Sequence, residues 1–104
     1  MPKIAEFANI VLDLVSEEFE ITKEQILSKS RNAEIVDARH MAVKLMHAHN
    51  IYTSRIATIL GISQRNTLHI ITSFDTRIQM NRSLRNSYAK ITKKLGENFA
   101  ADWI

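Results

Sequence analysis

The near absence of chain-breaking residues is the feature that most limits how this sequence can fold. The 104 residues include two glycines and one proline, and the proline is at position 2. Sheets of many short strands need frequent turn residues, so this composition favours helices. The absence of cysteine excludes disulfide frameworks, thiol catalysis and cysteine-ligated zinc. We therefore expect a single all-α domain.

Periodic apolar residues and capping signals predict three helices in the first half of the chain. The apolar spacing predicts an amphipathic helix over residues 4–19. Thr22 and Gln25 match a capping box, which begins a short second helix. After a loop over residues 28–34, Asp37 is the expected N-cap of a third helix.

A helix-turn-helix is predicted over residues 53–78. Thr53 or Ser54 caps a helix of about two turns, and Gly61 ends it in the left-handed conformation. Ser63 then caps a longer helix that runs to the end of this range or slightly beyond it.

The remainder of the chain predicts one more helix, over residues 84–95, which Gly96 ends. The tail, residues 96–104, carries Phe99 and Trp103. We expect these two side chains to fold back onto the core, because large exposed apolar groups are unusual in a monomer.

The longer helix of the helix-turn-helix has two different faces on a wheel of about 100° per residue. The residues expected to pack inward are Leu68, Ile71, Phe74 and Ile78. The residues expected to face solvent or a partner are Arg65, Asn66, His69 and Ser73. This division is typical of a recognition helix, which buries one side and presents hydrogen-bonding groups on the other.

Charge is distributed unevenly along the chain. Residues 1–24 carry two lysines and six acids, a net charge of 2 − 6 = −4, and residues 25–104 carry 12 − 5 = +7. A basic body favours nucleic acid as a partner, with a solvated basic surface as the alternative. No apolar run approaches the roughly 18 residues of a membrane span, and the first helix contains acids that a signal peptide lacks. We expect a soluble, cytoplasmic protein.

Three segments together resemble a known family. They are SKSR at residues 28–31, IVDARHMA at residues 35–42 and GISQRNTL at residues 61–68. The C-terminal DNA-binding domain of the bacterial replication initiator DnaA has Ser-Lys-x-Arg, Ile-Val-x-x-Arg-Gln-Met-Ala and Gly-Gly-Arg-Asp-His-Thr-Thr-Val at these places. Seven residues separate Gly61 from Leu68, taken as the first buried residue, as in DnaA; the commoner helix-turn-helix has six.

The resemblance spans about residues 21–78 and implies a compact all-α bundle of five to six helices with a Trp-repressor-like helix-turn-helix. It implies double-stranded DNA as the partner, with Arg31 in an A/T-rich minor groove. Gln64, Arg65 and Asn66 occupy the three base-reading positions, where the family has Asp, His and Thr. The residues expected to contact phosphates are Lys29, Arg39, His40, Thr53, Ser54, Thr67 and His69.

The altered trio predicts weak discrimination of the standard DnaA box, because Gln and Asn suit adenine and Arg suits guanine. Leu68 matches the family valine that seats the helix in the core. Arg39 and His40 are expected to open the third helix, where a helix N-terminus suits an anion.

The sequence offers less support for other functions than for DNA binding. The sequence has no Gly-x-x-x-x-Gly-Lys-Ser/Thr motif, so we expect neither ATPase activity nor bound nucleotide, and no cofactor or enzymatic role. His47 and His49 are two residues apart and are a poor metal pair. The alternatives are a transcription regulator and a protein-interaction module that uses the acidic first helix. The chain is either a complete small protein or part of a longer initiator.

Overall fold

The segments with helical apolar spacing form helices in the part of the chain that the structure describes. The computed structural model describes residues 4–99, with side chains for residues 4–96. The helices in this range are α1 (Ile4–Phe19), α2 (Lys23–Ile26), α3 (Ala33–Ala48), α4 (Thr53–Leu60), α5 (Gln64–Met80) and α6 (Arg82–Phe99). The prediction of an all-α bundle of five to six helices with a helix-turn-helix is confirmed.

Helix α3 lies at the centre of the bundle and packs against α1, α2, α4 and α5. Helices α1, α3, α4, α5 and α6 each contribute fully buried side chains, among them Val15, Met41, Ile56, Phe74 and Ile91. Burying a large apolar side chain stabilises a fold by roughly 1.5–3 kcal/mol, so these contacts hold the helices in place. The helix-turn-helix pair α4 and α5 is thereby fixed on one side of α3.

Three capping signals predicted helix ends correctly. Thr22 Oγ1 accepts a hydrogen bond from the Gln25 backbone N at 3.1 Å, and Gln25 Oε1 accepts one from the Thr22 backbone N at 2.9 Å. Ser63 Oγ accepts from the Asn66 backbone N at 3.0 Å and caps α5. Gly61 has φ +66° and ends α4.

The predicted start of α3 was wrong. The helix begins at Ala33, because Asn32 Oδ1 accepts hydrogen bonds from the backbone N atoms of Glu34 and Ile35 at 3.0 and 3.4 Å. Asp37 is therefore inside the helix rather than at its N-cap. The consequence is one added turn ahead of the residues that were expected to open α3.

Two further helix ends differ from the prediction. The N-cap of α4 is Tyr52, without a side-chain cap, so neither Thr53 nor Ser54 caps this helix. Helix α6 continues through Gly96 to Phe99, because one helical glycine costs only about 1 kcal/mol. The expected packing of the Phe99 and Trp103 side chains lies outside the described residues.

Candidate nucleic-acid interface

The first turn of α5 presents three polar side chains to solvent. Gln64, Arg65 and Asn66 are all exposed, as predicted. Gln64 Nε2 donates a hydrogen bond to Thr53 Oγ1 at 3.2 Å, which joins the first turn of α5 to the first turn of α4. The helix-turn-helix therefore has one continuous polar edge where its two helices begin.

The buried face of α5 differs from the predicted face in its first turns, whereas Phe74 is buried as expected and Ile71 and Ile78 pack partly buried against the core. Thr67, Ile70 and Phe74 have at most 1% of their surface exposed, whereas Leu68 is 50% exposed. The prediction that Leu68 packs inward was wrong. A threonine is tolerated in this buried position because its hydroxyl donates to the Ser63 carbonyl O at 3.0 Å.

The spacing of the helix-turn-helix changes accordingly. Six residues separate Gly61 from Thr67, the first buried residue of α5, and not the seven counted to Leu68. The side chain of Thr67 has no exposed surface and its hydroxyl donates to the Ser63 carbonyl O, so the burial does not support the phosphate contact that the resemblance implies for it. Arg65 and His69 each lie about 160° from Thr67 around the helix and share the exposed ridge with neighbouring Leu68.

The loop between α2 and α3 is held by the side chain of Arg39. Its Nε donates to the Ile26 carbonyl O at 2.9 Å, and its Nη2 donates to the carbonyl O atoms of Ser28 and Ser30 at 2.6 and 3.2 Å. Burial lowers the pKa of Arg39 from its ordinary value, although an arginine remains charged at any physiological pH. The guanidinium therefore fixes the backbone that leads to Arg31.

An open cavity of about 400 Å³ separates this loop from the start of α5. Lys29 and Arg31 line it on the loop side, and Gly61 and Asn66 line it on the helix-turn-helix side. Lys29 Nζ donates to the Gly61 carbonyl O at 3.5 Å across this gap. The three segments that carried the family resemblance thus meet around one cavity.

The sequence suggested that Arg39 and His40 open the third helix, but neither residue lies at a helix start. Both lie in the second turn of α3, because that helix begins at Ala33, so no free backbone N–H groups surround them. Arg39 is engaged with the loop carbonyls. The N-terminus of α3 therefore gives no support to the phosphate contacts expected of Arg39 and His40.

The environment of His40 keeps its imidazole neutral. Burial, together with the charge of Arg77, lowers the pKa of His40 to about 4. Its ring meets Phe74 edge-on with centroids 6.0 Å apart, and the Arg77 guanidinium lies 5.5 Å from the Phe74 centroid. Arg77 Nη1 donates to His40 Nδ1 at 3.3 Å, and Arg77 also pairs with Asp37. We therefore assign His40 to the α3–α5 contact.

The sequence contains only a partial signal for the orientation of α5. An apolar residue just before an N-cap often packs against an apolar fourth residue of the helix, an arrangement called the hydrophobic staple. With Ser63 as the N-cap, these two positions are Ile62 and Thr67, and Ile62 does pack against the core. Because threonine is not an apolar residue, the rule does not identify Thr67 rather than Leu68 as the buried side chain.

Within the described residues, two other classes of site find no support. No group of three or more histidine, aspartate or glutamate side chains there could hold a metal ion. No helix of residues 4–99 is long and apolar enough to cross a membrane.

Comparisons with known proteins identify a family. The sequence model described as "Bacterial dnaA protein helix-turn-helix" matches residues 8–71. Two proteins named chromosomal replication initiator protein DnaA, from the Ames and the ATCC 23582/Paris strains of Leptospira biflexa serovar Patoc, are each 26% identical over 88 residues. The match covers 84% of this chain and 20% of each relative, so the chain spans about a fifth of their length.

Proposed function

Because this chain belongs to the family of bacterial DnaA helix-turn-helix domains, we propose that it binds double-stranded DNA. Helix α5 enters the major groove, and Arg31 enters the adjacent minor groove. The observation that carries this proposal is the meeting of the Arg31 loop and the first turn of α5 around one cavity. An exposed arginine beside a polar helix start is an arrangement that contacts two neighbouring grooves at once.

The base-reading residues follow from the buried register of α5. With Thr67 in the position of the family valine, the family's Asp-His-Thr trio falls on Ser63, Gln64 and Arg65, one residue earlier than the sequence suggested. Ser63 is occupied as the N-cap. Gln64 and Arg65 are therefore assigned to base edges, where a glutamine suits adenine and an arginine suits guanine.

The next turn of α5 adds to this surface. Leu68 and His69 lie on the exposed face beside Arg65 and belong to the same base-reading surface. An exposed leucine has one kind of apolar partner on the base edges of the major groove, the C5-methyl group of thymine. Leu68 is the residue that the sequence had assigned to the core.

Phosphates are assigned to the residues that border the grooves. Lys29 and Asn66 line the cavity, and Thr53 and Ser54 lie in the first turn of α4, beside the start of α5. Arg55 is exposed on the same short helix. Phosphate contacts of this kind fix orientation and carry no base information.

The proposed activity is non-enzymatic, since the sequence contains no phosphate-binding loop motif for an ATPase. The relatives are named as chromosomal replication initiators, which favours a role at a replication origin for this chain too. A regulatory role at a promoter would use the same DNA-binding surface.

The test of this proposal is selection of bound sequences from a random duplex library, followed by anisotropy titration. We expect a selected duplex to be bound at least about a hundredfold more tightly than random duplex. The standard DnaA box should be preferred over a scrambled duplex by about tenfold or less, because two or three unfavourable base pairs each cost roughly 1–3 kcal/mol. Absence of duplex binding at low salt would favour the protein-interaction module instead.

A further inference from the structure

Three hydrogen bonds join the Arg39 side chain to the backbone that leads to Arg31. We infer that Arg39 is a positioning residue: it holds the loop of residues 27–32 so that Arg31 is presented to the minor groove. The inference rests on the proposed function, in which α5 enters the major groove and Arg31 the minor groove, and it explains how Arg31 is held in place before DNA is bound.

The positions of the three acceptors carry the argument. The carbonyl groups belong to every second residue, Ile26 at the end of α2 and then Ser28 and Ser30 in the loop, and the last is the residue directly before Arg31. A planar guanidinium with donors on several edges can bind all three at once. A lysine carries the same charge on a single nitrogen and cannot reproduce this geometry.

The other polar contacts of the loop cannot replace Arg39. The Ser30 backbone N donates to Ser28 Oγ at 3.2 Å, and the Asn32 backbone N donates to Ser30 Oγ at 3.1 Å. These bonds join residues two apart, and the Asn32 cap joins only the end of the loop to the first turn of α3. Arg39 joins the middle of the loop, at Ser28 and Ser30, to the second turn of α3.

The loop is also tied to the helix-turn-helix. Lys29 Nζ reaches the Gly61 carbonyl O at 3.5 Å across the cavity. Arg39 below the loop and this contact beside it together set the separation between Arg31 and the first turn of α5. That separation is what allows one domain to engage a minor groove and the neighbouring major groove simultaneously.

Loss of the Arg39 contacts should therefore weaken the contact of Arg31 with the minor groove and leave the other DNA contacts unchanged. Without them the loop and the Arg31 side chain must be ordered on binding. We expect the affinity for a favourable minor groove to fall by about three- to tenfold, because each side chain immobilised on binding carries an entropic cost of this size. The contacts of α5 with base edges do not depend on this loop and should persist.

The experiment varies the minor groove alone. Three duplexes share the major-groove half of the selected site and differ at the flank that Arg31 reads, which holds A·T, G·C or inosine·C pairs. Inosine lacks the guanine N2 amine, so an inosine·C pair resembles A·T in the minor groove and G·C in the major groove. We expect the wild type to bind the A·T and inosine·C flanks about tenfold more tightly than the G·C flank.

The decisive variant is Arg39→Lys, which keeps the charge. We expect it to reduce the flank preference to about twofold or less while preserving the preferences in the major-groove half. Arg31→Ala should have the same effect, and the double variant should show no further loss of preference, because both act through one contact. A full flank preference in Arg39→Lys would overturn the inference.

Controls separate this outcome from loss of the fold and from failure of the proposed function. Arg85→Lys on α6 is the matched substitution, since Arg85 donates to the Gln79 carbonyl O far from the loop, and it should leave the flank preference unchanged. Helix content is monitored by circular dichroism. If Arg39→Lys does not fold, Ser30→Gly loosens the same loop and should give the same selective loss. If the wild type binds no duplex, the proposed function is overturned. If the wild type prefers the A·T flank and the variant that folds, Arg39→Lys or in its place Ser30→Gly, keeps the full preference, only this inference is overturned.

Discussion

Leu68 lies on the exposed side of α5 with half of its surface in solvent. Its neighbour Thr67 is buried instead, and the Thr67 hydroxyl donates a hydrogen bond to the Ser63 carbonyl O. At the scale of single residues, this bond allows a polar side chain to occupy the buried position, and Leu68 is then displayed on the exposed face of α5. A leucine among polar groups on this face adds a contact that depends on shape and apolar surface, which Gln64 and Arg65 cannot supply.

Replacing thymine by uracil tests the Leu68 contact, because uracil lacks only the C5-methyl group. Single replacements across the selected site should weaken wild-type binding by about fourfold at one or two positions, the value of one buried methyl group. Leu68→Ala should bind the thymine and uracil duplexes equally at those positions. Met80→Ala is the matched control, since Met80 is 83% exposed at the far end of the same helix. A thymine preference that persists in Leu68→Ala would contradict the assignment.

At the scale of helices, the two glycines have opposite backbone requirements: Gly61 ends α4, and Gly96 lies inside α6. Gly61 ends α4 with φ +66°, a conformation that costs an L-residue energy, whereas Gly96 lies within α6. A Cβ added at either position would meet no atom within 4 Å. Steric clashes are therefore absent in both, and only the backbone conformation distinguishes them.

Alanine substitutions at the two glycines should consequently change stability in opposite directions. Gly61→Ala should lower the free energy of unfolding by about 1–2 kcal/mol through backbone strain. Gly96→Ala should raise it by roughly 0.5–1 kcal/mol, because alanine loses less backbone entropy in a helix. Urea unfolding followed by circular dichroism measures both, and equal destabilisation by the two substitutions would contradict the helical conformation at Gly96.

The contact between α3 and α5 predicts loss of stability in acid. The pKa of His40 is lowered to about 4 in the folded protein, from 6.5 in an unfolded chain, by burial and by Arg77. Protonation therefore favours the unfolded state. The contribution of His40 is complete above pH 6.5 and is lost as the pH falls from 6.5 towards 4, by at most about 3 kcal/mol and less for a partly exposed ring.

His40→Gln removes this titration while keeping an acceptor for Arg77. The difference in unfolding free energy between wild type and variant should change between pH 7 and pH 4 in favour of the variant. Denaturant unfolding at a series of pH values measures this difference. Carboxylates titrate in both proteins, so their contributions cancel in the difference. A difference independent of pH would contradict the neutral, buried state of His40.

At the scale of the whole molecule, charge is separated between the acidic start of the chain and its basic remainder. Within these first 24 residues, the structure places α1 (Ile4–Phe19) and the start of α2, and α1 packs on α3 and α6 rather than in the helix-turn-helix. The exposed cations near the proposed interface are Lys29, Arg31, Arg55 and Arg65. Arg39 is directed at the loop carbonyls and His40 is neutral, so neither adds to this group.

Binding should therefore depend on salt to a predictable extent. If about three or four phosphates are neutralised, the logarithm of the affinity should fall against the logarithm of salt concentration with a slope of about −3 to −4. Lys29→Gln should reduce the magnitude of the slope by about 1, because one phosphate contact is lost. Lys90→Gln on the exposed surface of α6 is the control and should leave the slope unchanged. A flat salt response in the wild type would contradict a phosphate-based interface.

The sequence by itself determined the helical fold, most of the helix positions and the family. Local chemistry was sufficient for these features: few chain breakers, apolar spacing, the Thr22 capping box, the Ser63 cap and the turn at Gly61 each act within a few residues. The exposed side chains of Gln64 and Arg65 were predicted for the same reason, since they follow directly from the cap of α5.

Only the tertiary structure decided which residues face inward and what the charged side chains bind. Leu68 and Thr67 are adjacent, and the choice between them depends on how α5 packs on the core. Arg39 finds its acceptors in a loop 9 to 13 residues earlier in the chain. His40 is neutral because α5 places Arg77 and Phe74 beside it. Each of these outcomes depends on contacts between helices, which residue spacing within one helix does not specify.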